Sequence, residues 1–383
     1  MRTLPFLLLL PFVACTGASK DTGAPDDTGE TDTDTDTDTD TGTPVTARIA
    51  WFDDMSGMDL SPDGTRAVAQ RMSSLAGEVL FLDTVTDEVR SVTTLGDATR
   101  NLATGLSADG RISALYDTPV VEAGLWTEAT GWQDLASPFA VGCDSDNGGG
   151  FDLSDDGTVV VGLLWDVCSP AAFRWTEAGG VQVLDILGEA SEGSTNAPAN
   201  RASVVSGDGQ VSAGFAAYGP LDRSPTRWTA DGAGELLAPD DRDAPGEVLS
   251  IDYDGSTLGV LRGYDGYVWT AAGGFVSLGR LETALPSDPV YVNALSADGH
   301  LAFGGVGSEF FGLPTAFVWS EALGMRSVQE VATAAGIVVD EGYWLTNVMA
   351  VSDDSTVILG RAFNAEGAPT TFVMHVPADV WER

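Results

Sequence analysis

The chain has 383 residues, with 57 Asp and Glu against 18 Lys and Arg and a formal net charge of −39. A chain this acidic lacks the basic footprint that nucleic-acid binding requires, which excludes that class, and it repels anionic partners. The first 45 residues hold nine acids and two bases, so about −32 of the charge falls on the remainder.

The N-terminus reads as a targeting segment. Arg2 precedes Leu4–Ala14, an apolar stretch of 11 residues that is too short to span a bilayer. Cys15 follows at once, and Phe12-Val13-Ala14-Cys15 resembles the lipobox of bacterial lipoproteins. That resemblance implies a signal peptide over residues 1–14, lipidation of Cys15 and, with Thr16 rather than Asp next, outer-membrane sorting. The alternative is plain secretion after cleavage at Ala18. Residues 15–44 run through Asp-Thr-Gly into five Thr-Asp pairs from Thr31 to Asp40. With little apolar surface to bury and mutually repelling charges, they are expected to be a disordered tether. The alternating Asp32, Asp34, Asp36, Asp38 and Asp40 lack the turn Gly and fixed bidentate acid of a calcium loop.

From residue 45 onward the sequence is periodic. A phrase recurs as Ser61-Pro-Asp63-Gly64, Ser107-Ala-Asp109-Gly110, Ser154-Asp-Asp156-Gly157, Ser206-Gly-Asp208-Gly209, Asp252-Tyr-Asp254-Gly255, Ser296-Ala-Asp298-Gly299 and a worn Ser352-Asp-Asp354-Ser355. Its third-position Asp residues lie 46, 47, 52, 46, 44 and 56 residues apart. Each is followed by an aromatic: Phe81, Trp126, Trp175, Trp228, Trp269, Trp319 and Phe372. In the clearest unit, Val292–Leu295 and His300–Val306 flank the turn as strands, Thr315–Trp319 is a third and Met325–Val328 a fourth. Gly supplies the positive φ of the turn, and Asp bonds its own backbone two residues on.

A period in the forties with four short strands predicts an all-β, seven-bladed propeller of four-stranded antiparallel blades over residues 45–383. The recurring aromatics are then inter-blade packing and the phrase Asp residues are turn formers. The last unit has no fourth strand of its own. The β-rich segment Val45–Phe52, before the first phrase, is expected to supply it and so close the ring.

Two cysteines remain beside Cys15. Cys143 precedes the first strand of the third blade and Cys168 follows its second, so both reach one face, and an exported context permits a disulfide between them. Closing that loop would contribute about 3 kcal/mol. Asp144 and Asp146 are weak calcium candidates; a polar turn beside the disulfide is the preferred reading.

Catalytic signatures are missing from the sequence. His300 and His375 are isolated inside predicted strands and read as structural. No nucleophile elbow, phosphate loop or paired Cys motif occurs, and no cofactor is expected. Binding is expected on the face bearing the long loops, with Trp165, Tyr218, Phe310, Phe311 and Tyr343 as candidate contacts. The expectation is a monomeric, non-enzymatic binding or scaffold module for a surface protein or a glycan, touching a membrane only through its lipid. The alternative is a carbohydrate-active enzyme, a glycoside hydrolase or polysaccharide lyase, working at the channel. An enzyme should gather acids and aromatics from different blades at one channel end; a scaffold should line the channel with small and apolar residues.

Several units resemble the HAF-type extracellular repeat, named for a His-Ala-Phe element before the Trp. That element stands here as Ala171-Ala-Phe-Arg-Trp-Thr176 and Thr315-Ala-Phe-Val-Trp-Ser320, with the His replaced. Leu153–Gly162 and the run Gly342–Ser352 with Val357–Gly360 match the paired half. The likeness covers roughly residues 100–376, while Ser61–Asp83 is more similar to the repeats of periplasmic WD-type propellers. It implies an exported propeller and brings no catalytic residues.

Overall fold

The computed structural model describes residues 47–382 apart from 75–76, 93–99, 118–120, 136–147, 167–168, 191–196, 219–221, 242–243 and 308–313. The expected signal peptide and tether, Cys15, Cys143, Cys168, Asp144, Asp146, Phe310 and Phe311 lie outside the described residues.

Seven four-stranded antiparallel sheets follow one another around a central axis, each with its strands in sequence order from the axis outward. The exception is the seventh blade. Its outer strand is Arg48–Asp53, paired antiparallel with Pro369–His375 from Arg48 opposite His375 to Asp53 opposite Thr370. The two ends of the domain are thus hydrogen-bonded into one sheet, as expected from the orphan β-rich segment. Trp51 on the closing strand packs 4.3 Å from Tyr343 and 6.2 Å from Phe372, centroid to centroid.

The turn phrase works as a unit. In the sixth blade the Ser296 hydroxyl donates to Asp298 and accepts from the Leu301 amide, and Gly299 turns the chain at φ +69°. Ser61, Ser107, Ser154, Ser206 and Ser352 donate to their Asp in the same way. Burial alone would raise these carboxyls. The hydrogen bonds instead hold Asp63, Asp156 and Asp298 below the usual carboxylate range. In the worn seventh phrase, Ser355 is forced to φ +57° where the others have Gly.

Every first strand carries a β-bulge at equivalent height, with extra residues Met58, Thr104, Phe151, Ser203, Leu249, Asn293 and Met349, and the seventh blade carries a second one at Thr346. A bulge bends the inner strand toward its neighbour. In the sixth blade this brings the Tyr291 carbonyl so close to the second strand that only Gly304 fits opposite it.

The third-strand aromatics fill the inter-blade seams, with Trp228 and Phe372 fully buried and Phe81 and Trp126 nearly so. Trp175 departs from the pattern and stays part-exposed. Two further elements depart from the expected strands and loops. Ser327 ends the fourth strand one residue before the expected Val328 and caps a short helix, Val328–Ala334, through a capping box with Glu330. Ala378–Glu382 forms a 3-10 helix whose Trp381 is fully buried against Phe303 and donates its indole N–H to the Ser355 carbonyl at 2.7 Å.

Candidate functional site

The seven bulges and the seven turns define a channel cavity of about 320 Å3 that opens on the face carrying the turns. Such a volume suits a small polar ligand or one end of a longer one. Its inner level is the ring of bulge residues. Several of these stitch one blade to the next: Thr104 Oγ1 donates to the Gly150 carbonyl at 2.9 Å, and Asn293 Nδ2 donates to Asn347 Oδ1 at 2.7 Å and to the Val348 carbonyl at 3.1 Å. Its outer level is the second residue of six of the seven phrases: Pro62, Asp155, Gly207, Tyr253, Ala297 and Asp353.

Those second residues are also joined backbone to backbone. Ala108 N donates to the Asp155 carbonyl, Asp155 N to Gly207, Tyr253 N to Ala297 and Asp353 N to Pro62. Pro62 has no N–H to continue the belt, and there the Arg66 guanidinium donates to the Ala108 carbonyl at 3.0 Å. These bonds tie the phrase turns of neighbouring blades to one another at the mouth of the channel.

Carboxyls gather on this wall. Asp59 follows the bulge of blade 1, and its Oδ2 accepts from the Leu106 amide of blade 2 at 2.6 Å. Asp152 holds the matching place in blade 3, accepting from Val205 N of blade 4 at 2.8 Å and from Leu153 N at 2.9 Å. Burial in the narrow channel raises the Asp59 carboxyl to about 7 despite these amides, with Asp155 adding repulsion. Burial and the Asp59 charge push Asp152 well above the usual range. Asp155 reaches about 6 through burial, then repulsion from Asp353, Asp156 and Asp208. Asp353 and Asp252 are also raised, chiefly by burial.

An aromatic joins these acids. Tyr253 and Asp155 flank Gly207 so closely that a Cβ there would clash with both. The missing side chain in blade 4 is what lets an acid of blade 3 and an aromatic of blade 5 approach. Among the described residues no three His, Cys, Asp or Glu side chains come together in a way that could hold a metal ion. Deeper in the same wall, buried Glu247 joins Arg201 and Arg223, and Arg201 stacks 4.6 Å over Phe151. The two guanidiniums hold Glu247 below the usual range against its burial.

The sequence candidates fall elsewhere. Trp165 is buried within the second strand of blade 3, Tyr218 ends the second strand of blade 4, and Tyr343 packs on Trp51. His300 lies exposed beside Asp298 on the turn face, and His375 contacts the Thr84 carbonyl at 2.9 Å. The channel acids were missed in the sequence, although a signal was present: the phrase keeps its third residue throughout and its first and fourth in six copies of seven, while its second is Pro, Ala, Asp, Gly or Tyr.

No protein-family model matches the chain. No curated protein matches it either. Solved structures do share its fold. An oligogalacturonate lyase in complex with manganese aligns at TM-score 0.52 and 16% identity, covering 87% of this chain and 92% of that one. An oligogalacturonate lyase from Vibrio parahaemolyticus gives 0.53 and 14%, covering 87% and 98%. The β-propeller domain of the trilobed protease from Pyrococcus furiosus gives 0.53 and 10%, covering 84% and 93%. At such identities the likeness establishes the fold alone. It nevertheless corrects the expectation of a non-enzymatic module. That expectation rested on missing linear motifs, and two of the aligned propellers are lyases, so such a search is no ground for excluding catalysis. Seven-bladed propeller architecture is what sequence, structure and comparison jointly establish for this chain, and its closure through the N-terminal strand is seen in the structure.

Proposed function

We propose that the protein is an exported propeller, lipid-anchored through Cys15, that binds an oligosaccharide end at the turn-face mouth of its channel and acts on it by acid–base chemistry. The observation that carries this reading is the convergence of Asp59 from blade 1 with Asp152 and Asp155 from blade 3, with Asp59 and Asp155 raised to about 7 and about 6, beside the ring of Tyr253 from blade 5. A carboxyl that titrates near neutrality can both give and take a proton at working pH, which an ordinary Asp cannot. Tyr253 is 47% exposed and offers a flat face to a sugar ring. The substrate is neutral or cationic, because a chain carrying −39 and this ring of acids repels a polyuronate.

A glycan array followed by a degradation screen on the bound sugars tests the reading. Binding should concentrate on uncharged or amino sugars, and Asp155→Asn should abolish turnover while leaving most of the binding. Absence of both binding and turnover across neutral and cationic glycans would refute it.

A further inference from the structure

A second cavity, of about 400 Å3, lies between blades 2 and 3 at the outer rim of the turn face. Its lining includes Leu125, Gln133, Trp175, Asp109, Glu128 and Glu177. The molecule shows what belongs in such a seam. In blade 4, Arg227 stands opposite Glu235 in register and pairs with it, and its guanidinium lies 4.9 Å from the ring centroid of Trp269 in blade 5. In blade 3 the equivalent residue is Arg174, which reaches the Gly209 carbonyl of blade 4 at 3.2 Å. In blade 1 a different arginine, Arg90, lies 4.6 Å from the ring of Phe81 and 5.9 Å from that of Trp126 in blade 2.

Between blades 2 and 3 the same register places Leu125 opposite Gln133, facing Trp175. No arginine occupies that register position; Arg111, which also lines the cavity, is held by Asp109 and by the Gly157 carbonyl, and Trp175 is left part-exposed. The rim carries three carboxylates. Asp109 is paired with Arg111 at 2.9 Å, and Glu128 with Arg90 at 2.6 Å. Glu177 has no ion-pair partner among the described residues.

We infer that this cavity receives the guanidinium of an arginine side chain from a polypeptide partner, stacked on Trp175 and paired with Glu177. Such a cation reproduces from outside the contact that Arg227 makes from within. Guanidinium stacks on indole more favourably than ammonium does, and the acidic surface steers a basic segment toward the seam. The inference is independent of the channel reading.

The test uses the whole propeller labelled with 5-fluorotryptophan and the peptide acetyl-Gly-Arg-Gly-amide, followed by fluorine NMR and calorimetry. The peptide should bind saturably and shift the Trp175 resonance, and its citrulline counterpart should not. Trp175→Leu should weaken binding at least tenfold. Leu125→Arg, which rebuilds the blade 4 arrangement, should abolish binding with an unchanged fold by circular dichroism and unchanged glycan binding at the channel. No saturable binding of the peptide overturns the inference, as does wild-type affinity in both variants. Guanidinium chloride binding as tightly as the peptide overturns the polypeptide source.

Discussion

Replacing Asp59 with Asn tests the electrostatics of the channel directly. The amide keeps the size of the side chain and an oxygen to accept from Leu106 N, while the titrating charge is removed. Asp59 rises from an ordinary carboxylic acid to about 7 in the fold. A folded-state pKa above the unfolded one means that the folded chain holds the extra proton. The associated stability is complete below the unfolded pKa and is lost as pH climbs through about 7. The full rise corresponds to about 4 kcal/mol at alkaline pH, and water reaching the channel reduces this to about 2–4 kcal/mol. Asp59→Asn should therefore raise the melting temperature by about 3–6 °C at pH 8.5 and change it little at pH 4.5. The turn carboxyls Asp63, Asp156 and Asp298 have the opposite sign, since their lowered pKa values contribute stability that is lost only as pH falls below the usual carboxylate range. The turn carboxyls therefore contribute little change from pH 4.5 to 8.5, and His375, lowered by burial, titrates alike in both proteins, so the difference between them reports Asp59. Thermal unfolding of both proteins across it decides the matter. An equal gain at both ends would mean that packing, not charge, was changed, and no gain at pH 8.5 would refute the reasoning.

Other consequences follow from single residues. Ser355→Gly relieves the positive φ of the worn turn and should stabilise the fold by about 0.5–1 kcal/mol, read from the urea midpoint. Trp51→Ala should cost about 3 kcal/mol and loosen the ring first at its closure, visible as faster hydrogen exchange in Pro369–His375 than in the other blades. Gly207→Ala should part Asp155 from Tyr253 and weaken glycan binding at least fivefold with little loss of melting temperature; unchanged affinity would detach these residues from the site.

Much of the fold was legible because the phrase encodes its own physics. Ser, Asp and Gly are needed together wherever a hairpin turn must satisfy its hydrogen bonds and take a positive φ, so repetition of the three announces repetition of the blade. The closing strand was legible for a similar reason: Arg48–Asp53 is β-forming and had no partner until the seventh blade was found one strand short. The Val328–Ala334 helix was hidden, because seven residues are too few to show a helical period, although Ser327 and Glu330 form its capping box.

The channel acids were hidden for a deeper reason. Asp59 and Asp152 lie far apart in sequence, and each sits one residue beyond a bulge that alternation does not reveal. Asp155 reads as one more turn acid until its neighbours in space are known, and those neighbours are Gly207 and Tyr253 from the next two phrases. A repeated scaffold separates its two demands in this way. Positions that build the turn vary little, with Asp252 and Ser355 the two departures, whereas the second position varies widely and in six of the seven phrases lines the channel. Proline at that place is the telling case, since it removes a donor and Arg66 supplies another. The free position of the phrase is therefore where this propeller can acquire specificity, and comparing the seven second residues is more informative about function than comparing the three that build the turn.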